Sequence, residues 1–501
     1  MTGIAARVGS DVTSGYCRRV DGSRLPLSPR TTSLVAAALL LVAQLASSCA
    51  VAQQPPGERG DPSRETLRRQ QELEDATRGA RPTAVTPSRV VEYEEVLARP
   101  NDIDLNFAWA QTQVLRGDIK GAANTLERML LVAPSNPRVR LLYAIVLFRL
   151  ERLDEAEREL AIVRDLPMEA SLRSEIDRYR RDIAQARKQT RFTAQLSTAM
   201  QYEWNRNASP RSGESSFLDL RFPVASQDRR KSDWQFQNIA RIEMTHDLEY
   251  QDNHRLTAAA TYVRGEQARE SQFDFQTGSI EFGGVIDMAP TWLVPNVYAR
   301  RLRLANQNYG RVEGASLRVE ERFSGRFHIY GFGEVETQNY HRTSRSTRAP
   351  ERSGMQYAAG VGSGWIISPQ HRLNLEVGGL LKSAHKDYES YRGPTASLVH
   401  TWLLGQGVFL VTTLGGEINL YDEPETVVSV RDRRDRIGRA RTTFGVPVGV
   451  FIENEAIAQA EPIKDLTMFV SLEGTRARST ITNYSYDTFR VTLGLTKRWD
   501  F

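Results

Sequence analysis

The sequence predicts an α + β two-domain protein, in which a short α-solenoid is followed by a C-terminal antiparallel transmembrane β-barrel of about 14 strands. A hydrophobic period of about 3.6 residues runs through residues 88–188, and segments of alternating polarity then fill residues 191–501. The turns between those segments are alternately short and long, as in outer-membrane barrels. These observations set the two main domain boundaries.

The last strand carries the clearest barrel pattern. Apolar side chains occupy every second position, at Phe489, Val491, Leu493 and Leu495. The other parity is polar or small, which suits a wall between lipid and a wet lumen. The chain end is similar to the signal read by the bacterial barrel-insertion machinery, and the candidate signal residues are Gly494, Trp499 and Phe501. Lys497 departs from the alternation, and an edge strand of a soluble β-domain is the alternative.

Charge and hydropathy exclude some classes of protein and leave the barrel open. The 501 residues carry a formal charge of +5, which gives no support to nucleic-acid binding. The mean hydropathy is −0.45. This value does not argue against a barrel, because barrel strands alternate in polarity and need no long apolar run.

Residues 1–52 are predicted to be a secretory signal peptide. The apolar run at residues 34–46 is short, follows several arginines and precedes Ala50 and Ala52, which fit a small-x-small cleavage site. Both cysteines, Cys17 and Cys49, precede the predicted cut. Lipidation of Cys49 is the alternative. Residues 53–87 are rich in Pro, Gly and charge, and they are predicted to form a disordered linker with one helix at residues 65–75.

The helical region contains a 34-residue repeat. Trp109, Ala110, Ala122 and Leu126 are followed, in the same order and spacing, by Tyr143, Ala144, Ala156 and Leu160. This register resembles the tetratricopeptide repeat, whose helix pairs must stack to bury their apolar faces. We predict that the first helix of each pair lines a groove for an extended peptide. The candidate groove residues are Asp104, Phe107, Gln111, Arg138, Leu141, Ile145 and Phe148. A plain spacer is the alternative.

The barrel region yields six short turns and seven longer loops, and therefore an even number of strands. Both ends of such a barrel lie on one side, which is the side from which a preceding periplasmic domain must enter. Several arginines fall on the lumen parity, where they suggest a positive wall, although glutamates on the same parity make ion-paired crosslinks an alternative. These arginines are Arg318, Arg439, Arg441, Arg490 and Arg498.

The sequence contains no recognisable catalytic or metal-binding constellation. The seven histidines include no His-x-x-x-His pair, and the glycines of residues 360–364 lie within an alternating strand instead of a strand-to-helix turn. We therefore expect no enzyme activity and no cofactor.

The architecture resembles that of the surface-lipoprotein assembly modulator (Slam) family. The residue-level likeness is greatest at residues 478–487, where Asn483, Tyr484, Tyr486 and Asp487 are similar to the family's loop before the last strand, and a weaker similarity lies at residues 431–435. The resemblance implies a Gram-negative outer-membrane translocation factor, with its N-terminal domain in the periplasm, that delivers lipoproteins to the cell surface. It also implies a client lipoprotein, the barrel-insertion machinery and outer-membrane lipids as partners. An exopolysaccharide export porin and a passive porin are the alternatives.

Overall fold

The computed structural model describes residues 68, 69, 71–73, 90–150, 152–166, 170–248, 254–344, 346–452, 455–458 and 460–501. The predicted signal peptide and both cysteines lie outside these residues. Besides a short helical segment discussed below, the described residues form six helices before the barrel: α1 (Tyr93–Ala98), α2 (Ile103–Arg116), α3 (Ile119–Val132), α4 (Pro137–Arg149), α5 (Leu153–Arg164) and α6 (Ala170–Ala186). Within the described residues, no helix has the length and apolar character needed to cross a membrane.

Local sequence signals set the ends of these helices. The Asp102 carboxylate accepts a hydrogen bond from the Leu105 amide at 3.0 Å and caps α2 at its N-terminus. Gly117 ends α2 in the left-handed conformation with a φ of 84°, which only glycine adopts without steric cost. Asn136 caps α4, and Pro137 occupies its first turn, where a missing amide proton costs nothing.

Most of the helices pack around one large apolar core that follows the repeat, and α1 packs on the start of α2 in a smaller cluster. The small residues at equivalent repeat positions, Ala110, Ala122, Ala144 and Ala156, are all buried. Because a methyl group lets two helices approach closely, α2 packs on α3 and α4 packs on α5. Three apolar side chains of α6, Ile176, Tyr179 and Ile183, complete this core.

Fourteen strands form a closed antiparallel barrel. They are β1 (Thr190–Glu203), β4 (Asp233–Asp247), β5 (Arg255–Gln267), β6 (Phe275–Met288), β7 (Thr291–Leu304), β8 (Gln307–Ser324), β9 (Phe327–Tyr340), β10 (Gly354–Ile366), β11 (His371–Ala384), β12 (Tyr391–Gly405), β13 (Val408–Tyr421), β14 (Arg434–Pro447), β15 (Leu466–Ser479) and β16 (Tyr486–Asp500). The remaining elements are a separate hairpin, β2 (Glu214–Phe217) and β3 (Leu220–Pro223), and a short helix, α7 (Glu455–Ala458).

The predicted fold class, an α-helical repeat region followed by a 14-stranded barrel, is confirmed. Each barrel strand pairs with its sequence neighbour in the barrel, and β1 closes the cylinder on β16. We call the end at which β1 begins and β16 ends the terminal mouth, and the opposite end the loop end. The hairpin formed by β2 and β3 lies in the first loop and was not predicted, since its eight residues carry no clear alternation.

The outer wall of the barrel is apolar. Leu196 and Met200 of β1, and Leu493 and Leu495 of β16, are all exposed on the outside of the cylinder. A soluble protein does not present such a continuous apolar wall, so these side chains face lipid. Lys497 shares their parity, but its ammonium donates 2.6 Å to the Glu461 carbonyl in the connection at the terminal mouth. The exception to the alternation therefore has a polar partner outside the lipid band.

A short helical segment of the chain lies inside the barrel. It consists of Arg68, Arg69, Gln71, Glu72 and Leu73, and we call it the lumenal segment. Its helical conformation agrees with the helix predicted at residues 65–75. Its location does not agree with the linker interpretation, because Leu73 is buried against Phe409 and Val411 of the barrel wall.

Candidate functional site

The candidate site is the barrel lumen, which contains a cavity of about 760 Å³. Arg68, Gln71 and Glu72 of the lumenal segment line this cavity, as do Glu389 and Tyr484 from loops at the loop end. The segment packs on Leu403 and Phe409, which flank the β12–β13 turn and therefore lie near the terminal mouth. The described residues thus narrow the lumen from both ends.

Five loops form a cover over the loop end, which we call the loop cap: residues 204–232, 341–353, 385–390, 422–433 and 480–485. The hairpin of the first loop reaches the fourth loop, where the Leu218 amide donates 2.9 Å to the Val427 carbonyl. Glu425 joins three loops, since its carboxylate accepts from Arg348 at 2.5 Å and from the Tyr484 hydroxyl at 3.0 Å. These contacts make the cap one connected unit.

Arg433 lies at the centre of the loop cap. Its guanidinium stacks on the Tyr484 ring at 3.2 Å and on the Tyr421 ring at 4.2 Å. The same guanidinium donates to both carboxylate oxygens of Asp435, to Oδ2 at 2.9 and 2.5 Å and to Oδ1 at 3.2 Å. Arg433 and Asp435 are both buried, so this ion pair and stack fix the fourth loop to the top of β14.

Glu389 is another buried charge-bearing group of the loop cap. Its side chain is 0% exposed and lines the cavity, and neither carboxylate oxygen has a hydrogen-bond partner within the described residues. Burial raises the pKa of this carboxyl to about 9, against the opposing effect of Arg352. Burial likewise lowers the pKa of the Arg352 guanidinium to about 10. Glu389 is therefore protonated at neutral pH.

The raised pKa of Glu389 predicts a pH dependence of the loop cap. Between the ordinary pKa of 4.5 and the folded value of about 9, the folded carboxyl holds its proton while the unfolded one loses it. The stability of the cap should therefore fall as pH rises through this window, by at most about 1.4 kcal/mol per pH unit. Hydrogen exchange of residues 385–390 between pH 5 and 9 measures this dependence.

Glu389→Gln is the matched variant for this measurement. Glutamine has the shape of the protonated side chain and does not titrate, so we expect slow exchange in the loop with no dependence on the ionisation of residue 389. If the variant shows the same pH dependence of opening as the wild type, after correction for intrinsic exchange, another group controls the loop.

The middle of the lumen is crossed by charged side chains of both signs. Glu336 accepts from Arg300 at 3.0 Å and from the Tyr298 hydroxyl at 2.8 Å. Nine arginines and lysines line the cavity together with ten aspartates and glutamates. This near balance is that of an ion-paired interior, and it does not support a positive filter for anions.

Four of the five arginines assigned to the lumen by sequence line the cavity: Arg318, Arg439, Arg441 and Arg490. Arg439 pairs with Glu417 at 3.2 Å, and Arg490 lies between Glu203 at 3.2 Å and Glu473 at 3.4 Å. Arg498 does not line the cavity. Its guanidinium contacts Asp500 at 2.7 Å near the terminal mouth.

The lumenal segment is held to the wall by charge and by packing. Arg69 donates to Glu473 at 2.6 Å, and Glu72 is ion-paired with Arg441. The Glu72 carboxylate also accepts from the Thr413 hydroxyl at 2.9 Å. Arg68 makes longer contacts, including one of 3.9 Å to Glu376, and is mostly exposed.

The structure separates the seven candidate groove residues into two sets. Asp104 and Arg138 are exposed, and Phe107 and Phe148 are partly buried against the helical core. Gln111, Leu141 and Ile145 are buried, the last two at 2% and 1% exposure, and Leu141 and Ile145 belong to the apolar core that α6 completes. The prediction that these three side chains line an accessible groove is corrected, because they are buried.

The three residues of the candidate C-terminal signal lie on β16 and at the chain end. An added Cβ at Gly494 would overlap the Phe469 ring of β15 and would be 2.9 Å from the Thr198 carbonyl oxygen of β1, so glycine makes room for both neighbours at this point. Trp499 is in register with Ala194 of β1. Phe501 exchanges backbone hydrogen bonds with Phe192, at 2.8 and 3.3 Å, and so extends the closure to the last residue.

Three features of the site were not identified from the sequence: the lumenal segment, the Arg433 stack and the buried Glu389. Residues 431–435 carry a family resemblance in the sequence, and their mixed charges could have indicated the Arg433–Asp435 pair. No local pattern marks Glu389, whose burial depends on loops distant in sequence. Within the described residues, no group of His, Cys, Asp or Glu side chains is arranged to hold a metal ion.

Comparisons with known proteins give one family match and several structural neighbours. A tetratricopeptide repeat model matches residues 113–170. No curated protein matches the sequence. Solved structures that resemble the chain include OmpTdeltaL8, an outer membrane protein of Vibrio cholerae (8% identity, TM-score 0.34, 62% of this chain and 99% of that one). CdiB from Acinetobacter baumannii is another (7%, 0.35, 62% and 60%). OccAB3, also from Acinetobacter baumannii, is a third (8%, 0.30, 62% and 99%).

These TM-scores carry no argument about function. The fold rests instead on the closed strand pairing, the apolar outer wall and the repeat match. Together they describe an outer-membrane type of barrel with a tetratricopeptide repeat domain at its N-terminal side, an architecture that fits a translocation or porin-like role.

Proposed function

We propose that this protein is an outer-membrane translocation factor that delivers lipoproteins to the cell surface. In this proposal the helical domain lies in the periplasm and holds the client, and the barrel provides the passage through its lumen or along the seam between β1 and β16. The observation that carries the proposal is the combination of a repeat domain at the terminal mouth with a lumen that is narrowed from both ends.

The junction between the domains supports delivery from the helices into the barrel. Only three residues separate the end of α6 at Ala186 from the start of β1 at Thr190. A second contact joins them, because the Arg326 guanidinium in the β8–β9 turn donates to the Leu115 carbonyl of α2. A client held by the helices would therefore be presented beside the terminal mouth.

The lumen favours polypeptide transfer over the two porin alternatives. A passive porin needs a continuous water-filled path, whereas the loop cap and the lumenal segment both line this cavity. A conduit for an anionic polysaccharide would be favoured by an excess of cations, and the charges on this wall are nearly balanced.

Passage of a client along the seam between β1 and β16 would require many contacts between these two strands to break. β1 and β16 share eleven registered residue pairs. Their lumen side is bridged by the Glu203–Arg490 ion pair at 3.2 Å and by a 2.8 Å hydrogen bond between the Ser197 and Thr496 hydroxyls. Pairing of a client strand with either edge requires these contacts to open first.

Deletion of the gene, followed by protease treatment of intact cells, tests the proposed function. We expect one or more lipoproteins to lose their accessibility to the protease while their total amount is unchanged, and complementation to restore it. Single-channel recording provides the opposing test. Unchanged lipoprotein display together with a conductance that polyuronate blocks would replace the proposal by polysaccharide export, and conductance without a client would indicate a passive porin.

Site-specific crosslinking tests the role of the helical groove. A photo-reactive residue at Arg138, which is exposed on α4, is expected to capture a lipoprotein. Leu131 provides the control, because it is 81% exposed at the end of α3 and is not one of the candidate groove residues. Equal capture at both positions would contradict a specific groove.

A further inference from the structure

The lumen wall contains an apolar patch within a largely polar interior. Leu403, Phe409 and Val411 are buried there, with Val399 and Phe469 beside them. The side chain that covers this patch is Leu73 of the lumenal segment. An apolar patch inside a wet lumen is costly unless something covers it, so its occupant contributes to the stability of the closed form.

Charged groups of both signs flank the patch and match the charges of its occupant. Glu473 binds Arg69 at 2.6 Å, and Arg441 binds Glu72 next to Leu73. Both wall residues also contact each other at 3.7 Å. On a helix, positions three and four residues apart lie on one face, so Arg69, Glu72 and Leu73 can meet the same stretch of wall together.

A small cavity lies between the lumenal segment and the barrel wall, so the two are not packed together without a gap. This cavity, of about 70 Å³, is lined by Arg69, Glu72 and Leu73 on one side and by residues of β1, β4 and β13–β16 on the other. The segment is thus bound to the wall mainly through the apolar contact of Leu73 and the ion pairs of Arg69 and Glu72.

We propose that this part of the wall, formed by Phe409, Val411, Arg441 and Glu473, is a binding site for a short amphipathic peptide helix. The helix presents an arginine, and then, three and four residues later, a glutamate and a leucine. The lumenal segment is its resting occupant, and a client segment of the same chemistry displaces it during transfer. The displacement step rests on the proposed function, whereas binding of the helix does not.

Binding of a peptide in trans tests the site directly. The full-length variant Arg69→Glu/Glu72→Arg/Leu73→Asp changes only the occupant and leaves every barrel strand intact. A fluorescent peptide of residues 65–75 should bind this variant at least about tenfold more tightly than it binds the wild type, whose site is filled by a tethered copy at high effective concentration. Equal affinity for the two proteins, or no binding to the variant, overturns the proposal.

Changes in the peptide show whether the predicted contacts are used, without altering the protein. Peptides carrying Glu72→Gln or Leu73→Asp should bind the variant more weakly than the wild-type peptide does. A peptide carrying Gln71→Ala is the matched control and should bind normally, because Gln71 is exposed. If all four peptides bind alike, binding does not involve this site and the proposal fails.

A disulfide lock tests displacement separately from the proposed function. Leu73 and Val411 belong to the same apolar cluster, and both native cysteines precede the predicted signal-peptide cleavage site, so Leu73→Cys/Val411→Cys is expected to supply the two cysteines of the mature chain. Oxidation should stop lipoprotein display, and reduction should restore it. If peptide binding succeeds and the oxidised lock still permits display, displacement is wrong while the proposed function stands. If the wild type itself displays no lipoprotein, the proposed function fails and the peptide site remains.

Discussion

Replacement of Arg433 by leucine is expected to lower the free energy of unfolding by about 3–5 kcal/mol, because it leaves a buried carboxylate without its cation. Asp435 is 3% exposed, and within the described residues Arg433 is the only cation in salt-bridge contact with it. The same change removes the stacking on Tyr484 and Tyr421. Urea unfolding in detergent micelles, followed by the heat-dependent migration of the barrel in gels, measures the loss.

Two further variants separate the effect of the unpaired Asp435 charge from the effect of the lost stacking of Arg433. Arg433→Leu/Asp435→Asn removes the charge of both partners and should regain part of the lost stability, whereas a loss due only to packing would not be regained. Arg439→Leu on β14 is the control, since its partner Glu417 is partly exposed and the pair is expected to contribute about 1 kcal/mol or less. An equal loss from Arg433→Leu and Arg439→Leu would contradict the assignment.

Much of the barrel could be predicted from the sequence because its physics is local. Each strand alternates between lipid and lumen along its own length, so the pattern at Phe489, Val491, Leu493 and Leu495 indicates a barrel strand without any knowledge of its neighbours. The number of turns and loops then gave the strand count that the closed sheet has. The same alternation predicted the lumen side for four arginines that line the cavity.

The contents of the lumen could not be predicted in this way, because they depend on contacts between distant parts of the chain. Arg69 and Glu473 are 404 residues apart. A short helix flanked by Pro, Gly and charged residues is typical of a linker. Its position inside the lumen depends on complementary side chains of the barrel wall, which are distant in sequence. The burial of Glu389 has the same origin, since the loops that enclose it come from separate hairpins.

The groove residues show where a repeat pattern reaches its limit. The 34-residue register correctly identified small residues such as Ala110 and Ala144 as helix contacts. It could not decide which face of α4 remains open, because that depends on how α6 packs at the end of a short solenoid. With only two full repeats, the terminal helix covers Leu141 and Ile145, which a longer array would present on its concave side.

The loop cap and the lumenal segment oppose each other across the same cavity, so opening of one end alone does not create a path. The cap is stabilised by buried pairs such as Arg433–Asp435, and the segment by pairs that a competing peptide can replace. Under the proposed function, this difference predicts an order of transfer in which the terminal mouth opens to a client before the loop end does.

Gly393→Ala is expected to prevent β12 and β13 from approaching at their native distance. An added Cβ at this position would overlap the carbonyl oxygen of Ile418 and lie 2.7 Å from its carbonyl carbon. Both atoms belong to the backbone, so no side-chain rotation relieves the overlap. Register pairing between the two strands already skips Gly393 and Pro394, which leaves few backbone hydrogen bonds to hold the distorted region.

The resulting strain should cost at least about 1–3 kcal/mol and reduce the fraction of correctly folded barrel. Gly415→Ala on β13 is the matched control, because Gly415 also lines the lumen but its added Cβ would have its nearest neighbour, the Ala396 carbonyl oxygen, 4.0 Å away. The folded and unfolded fractions of both variants, separated by gel mobility without heating, provide the comparison. If Gly393→Ala folds normally, the added methyl group fits between β12 and β13 and the expected overlap is wrong.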